Sequence, residues 1–147
     1  GLVAITPACA NINPVGAIAL GVVAGVASGW AVGLKYRFGY DDSLDVVGVH
    51  LVSGIIGTLA LGFIATPETG TAGLFYGGGL GLLITQSIAT IISVIFCAVL
   101  TLIIVIPIHR FMGFRVSEKQ EVQGIDLAQH AETAYAMAPA SGAFAEK

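Results

Sequence analysis

Charge is scarce in this sequence: Lys, Arg, Asp and Glu make up 10% of its 147 residues, where a soluble domain carries roughly 25%. At 56% hydrophobic, such a chain has the composition of one whose solvent is a bilayer. Basic charge is scarcer still. Six Lys and Arg against nine Asp and Glu leave a net charge of −3, which excludes the basic field that a nucleic-acid partner requires. Cysteine occurs twice, as Cys9 and Cys97. Both lie in apolar surroundings with no metal-ligand spacing, so they read as small packed core residues, and no metal or cofactor is implied. No signal peptide is expected within these residues, since Gly1 is not a Met and no charged region precedes a short apolar stretch. Residues 1–12 (GLVAITPACANI) are apolar but too short to span. They read as the end of a helix begun upstream, in a chain expected to be a fragment or half of a split protein.

What is present is three long apolar runs and twenty glycines, and Gly is commoner in transmembrane helices than in soluble ones. The fold class expected is all-α, a polytopic transmembrane helix bundle. Residues 14–34 carry no charge and make about 31 Å of helix, the thickness of the hydrocarbon core. Asn13 is a plausible N-cap and Pro14 suits a first turn. Gly21, Gly25, Gly29 and Gly33 recur every fourth residue, a stripe expected to serve close helix approach. Residues 44–65 form a second span. Asp41, Asp42, Ser43 and Asp45 crowd its start, where orphan N–H groups and the helix dipole favour carboxylates, and Thr66 and Pro67 end it. Residues 80–108 form a third, about 43 Å long, which must tilt or project, with Pro107 set to bend its last turn.

Lys and Arg give an orientation. Lys35 and Arg37 lie in the first loop. Arg110, Arg115, Lys119 and Lys147 follow the last span, and the loop 66–79 has none. With three spans, the first loop and the tail share a side, which the positive-inside rule makes cytoplasmic. Tyr36, Phe38 and Tyr40 fit an inner aromatic belt, and Phe75 and Tyr76 an outer one. The division expected is a transmembrane part, 1–112, and a cytoplasmic tail, 113–147. In the tail, 118–123 reads as solvated, 125–135 has weak helical spacing, and the Ala-rich 136–147 reads as disordered. The glycines of 77–81 lack the Lys and strand context of a phosphate cradle.

His50 carries the sharpest chemical signal. A histidine inside a span is costly unless it pairs or faces a cavity, and neutral imidazole can both donate and accept and so relay a proton. Gly48 leaves room for another group to approach. The bland alternative is a ring bonded to a backbone carbonyl for packing alone. Asp45, before His50, could bias that site or simply cap the helix. Thr6 could line a pore or bond its own i−4 carbonyl. His130, beside Asp126 and Glu132, reads as part of a solvated helix face, with a docking contact as the alternative. His109 reads as interfacial.

The segments 1–10 (GLVAITPACA), 41–57 (DDSLDVVGVHLVSGIIG) and 113–135 (GFRVSEKQEVQGIDLAQHAETAY) resemble successive signatures of the bacterial ammonium transporters, in order and at suitable separations. The resemblance implies eleven spans per subunit, a homotrimer with one pore per subunit, a place in the cell membrane and a cytoplasmic C-terminus. The spans here would be the ninth to eleventh, and 1–12 the end of the eighth. His50 would be the second of the family's paired pore histidines, Asp45 the acidic residue near it, and Thr6 and Val46 pore-lining positions. The implied function is not enzymatic. Ammonium sheds its proton, ammonia passes the histidines through an apolar pore, and the proton crosses separately, so net charge moves. A trimeric PII signalling protein is the implied cytoplasmic partner, with Gly124, Asp126, His130 and Tyr135 in the regulatory tail. Rival readings are an ammonium sensor, a Rhesus-type ammonia or carbon dioxide channel, and a nonfunctional truncated product. Two positions depart from familiar members. Leu51 follows the histidine where Gly is common, and Ala128 replaces the threonine that plant relatives phosphorylate.

Overall fold

A computed structural model describes residues 1–132. Every regular element among them is helical: α1 (Leu2–Ala8), α2 (Pro14–Val32), α3 (Leu34–Phe38), a π-helical turn (Val47–Val52) running into α4 (Ser53–Ile64), two short 3-10 turns (Pro67–Thr69 and Leu74–Tyr76), α5 (Gly81–Phe111), α6 (Glu118–Gln123) and a second π-helical turn (Asp126–His130). Three stretches are long and apolar enough to cross a membrane: Pro14–Phe38, Val47–Ile64 and Gly81–Phe111. The chain divides into two compact units, Gly1–Leu100 and Thr101–Lys147. The expected disorder of 136–147 and the expected role of Tyr135 lie outside the described residues.

In the first unit the core is built from small side chains. Ala4, Ala8, Leu20, Ala24, Leu61 and Ala65 are buried together, with Ile5, Ile12, Ile56, Ala60, Ile64 and Leu82 packed against them. Apolar burial drives little association in lipid, and helices there hold by close packing, which small residues permit. The tightest approaches between helices occur at glycines of the second span and its leading turn. A Cβ on Gly57 would overlap the Ala4 carbonyl. One on Gly48 would sit 2.8 Å from the Val32 backbone nitrogen, and one on Gly62 would sit 2.5 Å from Leu83 Cα. The stripe on α2 plays no such part among the described residues. Gly21, Gly25 and Gly29 have nothing within 4 Å of an added Cβ, because α2 turns its Leu20, Ala24 and Ala31 face to the core instead.

Hydrogen bonds fasten the end where α1 stops and α2 begins. Asn13 caps α2 by accepting the Gly16 N–H at 2.8 Å, and its Nδ2 donates to Tyr76 Oη at 2.7 Å. The Thr66 N–H donates to the Asn11 carbonyl at 2.9 Å, and the Gly73 N–H to the Ala65 carbonyl at 2.8 Å. The loop after α4 is thereby folded back over that end, with Phe75 tilted against Phe63 at 5.6 Å between ring centroids. Cys9 and Cys97 are both exposed, against the expectation of packed interior residues. Cys9 lies just past the end of α1, and Cys97 lies on a stretch of α5, residues 91–100, that is exposed throughout. Pro107 lies inside α5 without ending it.

The second unit carries the tail. Ser117 and Gln120 form a reciprocal capping box on α6, and Arg115 grips Glu121 with two bonds of 2.6 and 3.0 Å. The segment read only as solvated is therefore an exposed but capped helix. Gly124, at φ +98°, ends it.

Candidate functional site

The site is built around the entry to the second span. Its helix starts one to two residues later than the apolar run suggests, because Asp45 sits in the left-handed region at φ +57°, a conformation that Asp tolerates better than most residues. The capping is done by Asp42. Its two carboxylate oxygens accept the Val46 N–H at 2.7 Å and the Val47 N–H at 2.9 Å, satisfying two orphan donors at the helix start. Asp45 pairs instead with Lys35, Oδ1 to Nζ 2.6 Å, and the same ammonium donates to the Asp42 carbonyl at 3.0 Å. Gly39, at φ +69°, makes the reversal after α3 that returns the chain toward Lys35. One lysine thus binds the Asp45 carboxylate and the Asp42 carbonyl, and ties the entry to α3.

Beyond this clasp the backbone widens. Val47–Val52 is π-helical, with Gly48 buried and His50 exposed. Pi turns are rare and recur at functional positions. Gly48 packs on Val32 of α2, and its carbonyl accepts the Ser28 hydroxyl at 2.9 Å. Two residues on in a helix faces roughly the opposite way, so His50 points away from α2, onto a surface that the described residues leave exposed. No hydrogen bond or ion pair holds the His50 ring among the described residues, so the ring is available to a group from outside the chain.

The other sequence-derived positions are dispersed. Thr6 is exposed and donates to the Leu2 carbonyl at 3.0 Å, the i−4 bond weighed as one of its two readings. Val46 is 48% exposed, and its N–H is the one Asp42 accepts. In the second unit, Asp126 and His130 bound the exposed π-helical turn that follows Gly124, and Glu132 N–H donates to the Asp126 carbonyl at 3.3 Å. Sequence reasoning missed Ser28 and the π-helical turn. Its only signal was Gly48, noted for the room it leaves.

Three apolar helices of spanning length, small-residue packing and a histidine on an uncovered intramembrane surface define a segment of a polytopic membrane protein. The chain belongs to the Ammonium Transporter Family, whose sequence model matches residues 1–135. It is 49% identical to an ammonium transporter of Mycobacterium tuberculosis over 150 aligned positions, covering 97% of this chain and 31% of that protein. It is 43% identical to an ammonium transporter of Aquifex aeolicus over 137 positions (92% and 32%). It is 39% identical to one of Bacillus subtilis over 139 positions (92% and 34%). The chain spans about a third of the length of these relatives.

Proposed function

We propose that this chain forms the last three spans and the cytoplasmic tail of a cell-membrane ammonium transporter, with residues 1–112 in the transmembrane part and 113–147 in the tail. The observation that carries the reading is membership of the family over residues 1–135, a stretch that includes His50. The physical case is one of desolvation. A bare cation in an apolar tube costs many kcal/mol, and ammonium escapes that cost by giving up a proton where potassium cannot. An imidazole with no partner among the described residues can accept a hydrogen bond from ammonia at one nitrogen and pass a proton at the other. His50 takes that role, Thr6 and Val46 line the same pore, and Asp45 biases the site by its charge. The subunits assemble as a trimer. The side bearing Lys35 and the tail is cytoplasmic and receives a PII-type regulator.

The test is ammonium-evoked current in proteoliposomes carrying the full-length protein. His50→Ala is expected to abolish the current while trimer assembly, followed by size-exclusion chromatography, is kept. Unchanged current and selectivity would remove His50 from the mechanism.

A further inference from the structure

Hydroxyls in apolar helices have a default partner, the carbonyl one turn back in the same helix. The hydroxyls of Thr6, Thr58, Thr85, Ser87 and Thr90 all take it, donating to Leu2, Gly54, Gly81, Leu83 and Gln86. Ser28 does not. Its hydroxyl leaves α2 and donates at 2.9 Å to the carbonyl of Gly48, twenty residues away in sequence, in a half-buried position. The acceptor lies within the π-helical turn Val47–Val52, two residues before His50. Only a glycine allows this geometry, because a Cβ at position 48 would stand 2.8 Å from both the backbone nitrogen and the Cγ2 of Val32.

A donor inserted from a neighbouring helix competes with the helix's own N–H groups for a carbonyl, and such insertion is one of the recognised causes of local departure from α-helical geometry. His50 has no side-chain bond among the described residues to hold its ring. The backbone that carries it fixes the direction of its Cα–Cβ bond, and with it the side on which the ring can reach a ligand. We propose that Ser28 is a positioning residue for His50: by holding the Gly48 carbonyl it keeps the turn in its widened form and aims the imidazole. The proposal rests on the reading of His50 as the group that meets the substrate. The role of Ser28 is to aim the ring without touching the substrate.

The experiment compares Ser28→Ala and Ser28→Thr with the unaltered full-length protein in proteoliposomes. Amide hydrogen exchange over residues 47–52 is measured on the same preparations. Loss of one ordinary hydrogen bond corresponds to about fivefold in an equilibrium constant. Ser28→Ala is expected to speed exchange in that turn by about that factor. It should also lower the maximal ammonium current about fivefold and change the ratio of ammonium to methylammonium current, with trimer yield unchanged. Ser28→Thr, which keeps the donor, is expected to restore both exchange and selectivity. The proposal is overturned if Ser28→Ala leaves exchange in 47–52 unaltered. It is equally overturned if exchange rises while current and selectivity stay at the unaltered level in a protein where His50→Ala abolishes current, or if current falls only in proportion to lost trimer. If His50→Ala itself leaves current unchanged, the underlying reading of the site fails instead, and the exchange measurement still reports whether Ser28 holds the turn.

Discussion

The backbone of α4 at Gly57 lies against that of α1, with an added Cβ 2.9 Å from Ala4 Cα and overlapping the Ala4 carbonyl. Neither neighbour is a side chain that can swing aside, so a methyl there must push two helices apart. Overpacking of this kind typically costs about 1–3 kcal/mol. Gly54 lies on the same helix and would meet nothing of this chain within 4 Å. Gly57→Ala is accordingly expected to lower the thermal unfolding midpoint of the detergent-solubilised protein, and Gly54→Ala to leave it nearly unmoved. Equal midpoints for the two variants would show that the α1–α4 approach does not limit stability. Of the glycines that matter to packing here, the sequence pointed only to Gly48, and for the room it leaves beside His50, while the regular stripe on α2 meets nothing. A regular every-fourth-residue stripe is legible without coordinates, whereas Gly48, Gly57 and Gly62 are single positions. Their importance depends on which face another helix approaches.

At the scale of the element, the second span depends on its first turn. Asp42 alone satisfies the N–H groups of both Val46 and Val47, and losing a side-chain cap costs about 0.5–2 kcal/mol. Asp42→Ala should therefore fray the start of the span, seen as faster amide exchange at positions 46 and 47, with Asp42→Asn intermediate because it keeps one acceptor. Indistinguishable exchange in the alanine variant would mean that the Lys35–Asp45 pair suffices to hold the entry. That acidic residues crowd this end was legible in the sequence. Which one caps and which one pairs was not, since the left-handed turn at Asp45 and the reversal at Gly39 decide it. The spans themselves were legible because length and apolarity are one-dimensional properties. The widened turn at His50 was not, because the Ser28 hydroxyl that reaches it has an equally good partner in its own helix. In the tail, α6 carries a pH dependence. The Arg115 guanidinium holds the Glu121 carboxyl below the usual carboxylate range. A carboxyl depressed on folding stabilises its structure above its ordinary pKa, and that contribution is lost as pH falls through the lowered value. A carbon-13 titration of the Glu121 side chain should show the depressed midpoint, and Arg115→Gln should return it to the ordinary range. A midpoint insensitive to Arg115→Gln would dismiss the pair as its cause.

At the scale of the whole molecule, the question is what the tail contributes to spans that close their own backbone bonds. Inside a bilayer the helices must satisfy their N–H and C=O groups internally, and nothing in that requirement involves residues after Gly124. The tail is short, capped by its own Ser117 and Gln120, and interrupted at Gly124, where φ +98° suits glycine far better than other residues. Past that break Ile125 and Leu127 stand 48% and 44% exposed, two apolar side chains presented to solvent. A surface contact with a neighbouring subunit would cover them, and such a contact couples subunits without folding them. On the proposed trimeric reading, deleting residues 124–147 from the full-length protein is therefore expected to leave the amount and thermal stability of the assembly close to normal. The same deletion should reduce ammonium current several-fold and abolish the ability of an inactive subunit to depress its neighbours in mixed trimers. The decisive measurement is current against the fraction of His50→Ala subunits, with and without the tail. Loss of trimer on deletion would make the tail a folding element, and normal current with unchanged PII binding would make it a passive extension.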